Sequence, residues 1–250
     1  KAKIALFSMD PANEMFKAHV GAGGLGATMD RHDTLCLYRS TLRIPIVHAR
    51  QVPITYDGKA RFNIANALAA ALATFATGID LEEIRGALTT FHPTPFQTPG
   101  RANTYEFRDF KVMIDYCHNP HAMAVVAPFL SAMKKTRLVG VLNAPGDRRL
   151  EDFEEIGRIA APHFDHVILR DDEDLRGRKP GEVAQHIGDA LVKHGMKRES
   201  VEFVRTETEA VKKAISMAQK DDFIVIFADR ITKVAAQVDF ERQKEGRASS

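Results

Sequence analysis

Ile114-Asp115-Tyr116-Cys117-His118-Asn119-Pro120 is the stretch on which the reading of this chain turns. An apolar strand, Lys111 to Ile114, runs into the carboxylate of Asp115, and a histidine follows three residues later. Asn119-Pro120 suits the N-cap and first position of a helix that residues 122–133 can continue. An acid and a histidine are thus held between the C-terminal end of a strand and the start of a helix. Open α/β folds bind ligands there, and the free N–H groups of a helix start favour anions such as phosphates. An ordinary junction whose aspartate caps a turn would carry the same letters, so the surroundings must decide.

Downstream, strands and helices alternate. Strands are expected at Arg137–Leu142, His166–Leu169, Val201–Val204 and Phe223–Ala228, with helices at Leu150–Ala161, Gly181–His194 and Thr208–Lys220. This rhythm argues for an α/β fold with a mostly parallel sheet covered on both faces. Thr104–Phe107 and Val112–Ile114 flank Arg108-Asp109-Phe110 as in a hairpin, and the polar end, Glu241–Ser250, reads as frayed. Upstream, residues 1–60 read as short strands and turns around one helix, Asn13–Val20. Phe62–Thr77 is an amphipathic helix with Ile64, Leu68, Ala71, Leu72 and Phe75 on one face, and Asp80 caps a second helix, Leu81–Thr90. Residues 92–100, with three prolines and a glycine, are the best linker candidate in the chain.

Bulk properties narrow the class. The 250 residues are 44% apolar and 27% charged with a net charge of +2, which points to neither a nucleic-acid nor a membrane surface. Two cysteines have no metal-ligand spacing and fit a reducing cytoplasm. The abrupt entry into a strand after Lys1 suggests a piece of something longer.

Each remaining motif has a bland and a functional reading. Gly21-Ala22-Gly23-Gly24-Leu25-Gly26 matches the dinucleotide fingerprint letter by letter, but a helix precedes it, so it reads as a helix-terminating loop. Asn63 can help cap its helix, while Asn66 is either solvated or offers its amide to a purine edge. Arg101, on the turn Pro99-Gly100-Arg101, is a surface arginine or reaches phosphate and ribose oxygens. In Asn143-Ala144-Pro145-Gly146-Asp147-Arg148-Arg149, Asp147 can cap the following helix and Arg148 projects from the sheet rim. Asp171-Asp172-Glu173-Asp174, followed by Arg176 and Arg178, would usually be a solvated loop. At the same sheet edge as Asp115, those acids could pair with a guanidinium and the arginines grip a carboxylate.

In order, Asn63-Ile64-Ala65-Asn66-Ala67-Leu68-Ala69-Ala70, Pro99-Gly100-Arg101, Asp115-Tyr116-Cys117-His118-Asn119-Pro120 and Pro145-Gly146-Asp147-Arg148-Arg149 resemble the Mur ligase superfamily of ATP-dependent amide-bond ligases. The resemblance implies that residues 1–97 are the latter part of a central ATPase domain and 98–250 a C-terminal Rossmann-like domain. It implies adenine contact by Asn66, phosphate and ribose contact by Arg101 and Asp115, and a catalytic place near the terminal phosphate for His118. An incoming amino acid would meet Asp147, Arg148, Asp172, Asp174 and Arg176. Within the superfamily, Gln97-Thr98-Pro99-Gly100-Arg101 and residues 146–152 and 172–178 look most like the branch that attaches arginine to a poly-aspartate backbone. ATP and Mg²⁺ are the implied cofactors, with an acidic polymer as acceptor and a homo-oligomer left open. The family's G-x-x-x-x-G-K-S/T phosphate loop is absent from these letters, as are its Mg-binding glutamate and modified lysine, all expected upstream. Cys117 stands where the family usually has alanine. Another Mur-type ligase, with a peptidoglycan or folate acceptor, and a non-catalytic nucleotide-binding remnant are the rival readings.

Overall fold

The computed structural model describes residues 4–133 and 135–247. The chain divides into two compact units, Lys1–His92 and Pro93–Ser250.

The first unit has a four-stranded sheet: β1 (Ala5–Ser8), β2 (Leu25–Met29), β3 (Thr34–Arg39) and β4 (Leu42–His48), in that spatial order. β1 and β2 run parallel and the other pairs antiparallel. Between β1 and β2 lies α1 (Glu14–Gly21), capped by Asn13, whose Oδ1 accepts the Phe16 N–H at 3.0 Å. The glycine run only partly behaves as the expected loop. Its second half, from Leu25, is strand β2. Gly26 explains why: a Cβ there would come within 2.7 Å of Phe16 and Val20, so the missing side chain lets α1 lie directly on β2. Helices α2 (Arg61–Ala76) and α3 (Leu81–Thr90) follow, and Ile64, Leu68, Ala71 and Leu72 bury against Ala27, Leu35, Leu37 and Val47. Asp80 caps α3 as expected, accepting the Glu82 N–H at 2.8 Å. Asn63 does not cap α2. Its amide instead donates to the Ile54 carbonyl at 2.7 Å, tying the helix start to the preceding short 3₁₀ turn.

The second unit is built on six strands: β5 (Asn103–Glu106), β6 (Lys111–Asp115), β7 (Arg137–Leu142), β8 (His166–Arg170), β9 (Val201–Val204) and β10 (Asp222–Phe227). Their order is β5-β6-β10-β7-β8-β9, and every pairing is parallel except the β5–β6 hairpin. Helices α4 (Pro120–Ser131), α5 (Leu150–Ala160), α6 (Glu182–Lys193), α7 (Glu207–Ser216) and α8 (Ile231–Arg247) cover the sheet. Alternate strand residues Val112, Ile114, Val139, Val141, Ile224 and Ile226 pack with Ala210, Val211, Val234 and Val238 of α7 and α8. The residues between them point the other way, as the period of a strand requires. Helices therefore flank both faces.

The C-terminal stretch corrects an expectation. Glu241–Arg247 is not frayed but is the last part of α8; Ala248, Ser249 and Ser250 lie outside the described residues. Val234 and Val238, one helical turn apart, are fully buried on the sheet and anchor the helix. The pairs Arg242–Asp239 (2.8 Å) and Lys244–Glu241 (3.2 Å) support its exposed side.

Candidate functional site

The first functional junction is β6 to α4. Asn119 is the N-cap, accepting the Ala122 N–H at 2.9 Å, with Pro120 in the first turn. Asp115 ends the strand and is 8% exposed. Its Oδ2 accepts the Ala102 N–H at 2.9 Å, and Ala102 sits at a left-handed φ of +54°. Asn103 pins the same turn, accepting the Gly100 N–H at 2.7 Å and donating to the Thr98 carbonyl at 3.0 Å. The Tyr116 N–H donates to the Gly100 carbonyl at 2.9 Å. The Pro-Gly-Arg turn is therefore held against the end of β6, with Arg101 exposed. Burial pushes the Asp115 carboxyl above its ordinary value, an effect opposed by the Ala102 N–H and the Arg101 charge.

Tyr116 links two of the candidates. The Arg101 guanidinium lies 5.8 Å from the centre of its ring, and the His118 ring lies 4.7 Å from it. His118 Nδ1 is 2.8 Å from the Tyr116 carbonyl. A carbonyl only accepts, so Nδ1 carries the proton, and Nε2 is the lone-pair nitrogen of the neutral ring.

Loops from β7, β8 and β10 complete the site. Gly146 lets two of them touch, because a Cβ there would collide with the Leu175 carbonyl. Arg178 bolts them together, donating to the carbonyls of Gly146 (3.0 Å) and Arg148 (3.1 Å) and pairing with Glu182 at 2.9 Å. The result is a polar cavity of about 190 Å³ at the C-terminal edge of the sheet, walled by His118, Arg148, Asp172, Arg176 and Asp229. Arg148 Nε is buried there without a hydrogen-bond partner.

The structure thus brings together four of the residues singled out from the sequence: His118, Arg148, Asp172 and Arg176. Asp147 stands beside them, paired with Arg176 at 2.8 Å. It does not cap α5, as its sequence position suggested. The N-cap is Arg149, bonded reciprocally with Asp152. Asp174 shapes the loop, accepting the Arg176 N–H at 3.0 Å. Arg101 and Asp115 are outside the cavity wall. Asn66 belongs to the first unit, where it donates to Asn63 at 3.2 Å and borders an apolar groove of about 590 Å³ between α2 and α3.

The acidic run is not a uniformly solvated loop. Asp171 is buried and accepts the Gly181 N–H with both oxygens at 2.9 Å. Glu173 pairs with Arg230 (3.2 Å) and Lys233 (3.5 Å). Asp172 lines the cavity together with Asp229, and burial together with that neighbouring carboxylate lifts it to about 6. Sequence reasoning missed Asp229. The available signal was its place just after β10, equivalent to that of the other strand-end acids. It also missed the ion pair beneath, Arg170–Glu207 at 2.6 Å, whose side chains are 1% and 5% exposed. A lone arginine closing an apolar strand was the signal there.

A family model for the Mur ligase, glutamate ligase domain matches residues 100–230, which hold the whole cavity. The chain belongs to that family. This Mur ligase chain is 40% identical over 232 residues to the cyanophycin synthetase of Geminocystis herdmanii, a match that covers 93% of the chain and 26% of the relative. The Crocosphaera subtropica cyanophycin synthetase is 38% identical, with 95% and 27% covered. The chain therefore spans about a quarter of the length of the curated relatives it matches. Among solved structures, E. coli FolC in complex with DHPP and ADP superposes with a TM-score of 0.65 at 17% identity, covering 97% of this chain and 55% of that one. The UDP-N-acetylmuramoylalanyl-D-glutamyl-2,6-diaminopimelate--D-alanyl-D-alanyl ligase of Acinetobacter baumannii gives 0.58 at 18% identity, with 88% and 44% covered. At these identities the likeness is one of fold. Among the described residues, no helix is long and apolar enough to cross a membrane.

Proposed function

We propose that this chain is part of an ATP-dependent ligase of the cyanophycin synthetase type, which joins L-arginine to the side-chain carboxylates of a poly-aspartate backbone. Such a ligase uses ATP to convert a carboxylate into an acyl phosphate, which an amine attacks to leave an amide and free phosphate. The observation that carries the reading is the mixed charge of the cavity: Arg148 and Arg176 share its wall with Asp172 and Asp229. An amino acid with a cationic side chain presents the matching set, a carboxylate for the arginines and a cation for the acids. The similarity to two cyanophycin synthetases supports the same substrate class.

Residues 1–97 would be the latter part of the central ATPase domain and 98–250 the C-terminal domain. Arg101 is suited to nucleotide phosphates, being an exposed guanidinium on a pinned turn; Asp115 braces that turn and is assigned to the ribose. Asn66, on the rim of an apolar groove, is assigned to the adenine edge. His118, its Nδ1 fixed by the Tyr116 carbonyl, is assigned to the reacting end of the nucleotide, with Asp147 and Asp174 holding Arg176 in place. Among the described residues, no group of three acidic, histidine or cysteine side chains could hold a metal. In this reading Mg²⁺ and the phosphate loop belong to a part of the parent protein other than these 250 residues, which alone are expected not to turn over. Two buried free thiols, Cys36 and Cys117, suit a reducing cytoplasm.

The test is ADP release by the full-length parent protein given poly-aspartate primer and arginine, diaminopimelate or glutamate. Stimulation by arginine alone is expected. The diaminopimelate arm matters because a Clostridium acetobutylicum diaminopimelate ligase is 30% identical over 178 residues. Stimulation by diaminopimelate alone would replace the arginine reading, and steady turnover by the 250 residues alone would refute the division of labour.

A further inference from the structure

The sheet of the second unit ends on β9, whose strand partner is β8, so the outer side of its backbone has no strand beside it among the described residues. β9 reads Val201-Glu202-Phe203-Val204. Its one charged side chain is already engaged, because Glu202 pairs with His166 at 3.0 Å and with Lys213. Free edges are commonly guarded by an unengaged charge, a proline or a bulge, and β9 carries none of these. Phe203 is 50% exposed although it lies on the face that α6 flanks.

Between α6 and β9 lies a pocket of about 250 Å³ bordered by Leu169, Ala184, Gly188, Val201 and Phe203. Gly188 makes the room, since a Cβ there would stand 3.1 Å from Leu169 Cδ1 and 3.6 Å from Val201 Cγ1. Phe203 is part of the rim and cannot fill the pocket of its own chain; Phe203 of a second copy can. On the polar side, Arg198 and Asp189 are matched to each other at 3.9 Å. Glu199, in the turn before β9, and Arg205, just after it, are both exposed, and neither forms an ion pair among the described residues.

We propose that β9 is a self-association edge, on which a second copy of this chain pairs antiparallel about a two-fold axis. Such an axis stands perpendicular to the sheet and keeps the α6 faces on one side, so odd-numbered residues must oppose odd-numbered ones. A register centred on Glu202 sets Val201 of each copy against Phe203 of the other, which brings each ring to the other copy's pocket. Arg205 of each copy then meets the turn carrying Glu199 of the other. A shift of two residues either way sets an apolar side chain against a charge, Val201 against Arg205 or Phe203 against Glu199. Glu202 meets its counterpart at the axis, the one like-charge contact, and His166 and Lys213 of each copy offset it there. The contact is isologous, as a two-fold pair requires. A four-residue strand makes a small interface of the transient class, so the dimer is reversible. None of this depends on the ligase reading.

The test is sedimentation velocity of the full-length parent protein over a concentration series. Glu199→Arg or Arg205→Glu alone sets like charges together at both ends of the paired strands and is expected to weaken self-association about tenfold. The double variant exchanges the two signs and should return the constant to within about twofold of wild type. Both side chains are exposed, so all three variants should melt with the wild type. Phe203→Ser empties the pocket of the second copy and should weaken association at least as much as either charge reversal. Three results would each overturn the proposal: a wild-type protein that stays monomeric, single variants that associate as tightly as wild type, and a double variant no better than the singles. Association through some other surface would give the second of these.

Discussion

Asp115 and Asp172 occupy comparable places at the C-terminal edge of one parallel sheet, yet the fold uses them differently. Both carboxyls sit above their ordinary value, and in both burial is the largest cause. Asp115 faces a backbone N–H, that of Ala102, and braces the turn presenting Arg101. Asp172 shares the wall of an open cavity with a second carboxyl, Asp229. A strand end delivers an acid to the ligand-binding edge in either case. What stands beside the acid decides whether it braces backbone or lines an open cavity.

The comparison breaks most visibly if the support under the Asp172 side is removed. Arg170→Met alone leaves the Glu207 carboxylate buried without its partner, and a loss of about 3–5 kcal/mol is expected in urea unfolding. The double variant with Glu207→Leu should recover most of that loss. At the other junction, Asp115→Ala removes the acceptor of a buried N–H and should cost about 1–3 kcal/mol. Asp115→Asn should cost much less, since an amide oxygen accepts the same bond and carries no buried charge.

Asp229→Asn should behave in the opposite way. The folded-state value of Asp172, about 6, lies above the 3.8 of an unconstrained aspartate. Between those values the folded protein holds a proton that the unfolded chain has released. Its contribution to stability is complete below 3.8 and is lost as pH rises through about 6. Removing the neighbouring charge lowers that value and flattens the loss, so the variant should gain stability over wild type as pH rises from 4 to 7, by roughly 1 kcal/mol or less given the partial exposure of the pair. Thermal melts across that range check it. A gain that shrinks with rising pH would mean that the two carboxyls are not coupled. The smallest effect is expected from Asp147→Asn, where the Arg176 pair is exposed: the melting midpoint should not move measurably.

Legibility followed the range of the interactions. The β6–α4 junction could be read residue by residue because a strand end, an N-cap and a helix-start proline are local signals. The Gly26 contact was hidden because it depends on Phe16 and Val20, which α1 brings back from earlier in the chain. The C-terminal half of α8 was hidden because its polar letters resemble a tail, and only Val234 and Val238 meeting the sheet hold it down. Asp147 looked like a cap and became a partner of Arg176, 29 residues away.

From sequence alone came the two-part organisation, the α/β rhythm, the Mur ligase kinship and the set of strand-end residues from which a site could be drawn, because periodicity, caps and motif spacing are properties of neighbouring residues. Tertiary structure alone selected among them. It placed His118, Arg148, Asp172 and Arg176 around one cavity, turned Asp115 toward the Ala102 turn, and supplied Asp229 through a buried Arg170–Glu207 pair 37 residues apart in the chain. The physical reason is the sheet order: β10 inserts between β6 and β7, so residues distant in sequence share one edge, and charge pairing across that edge is set by topology.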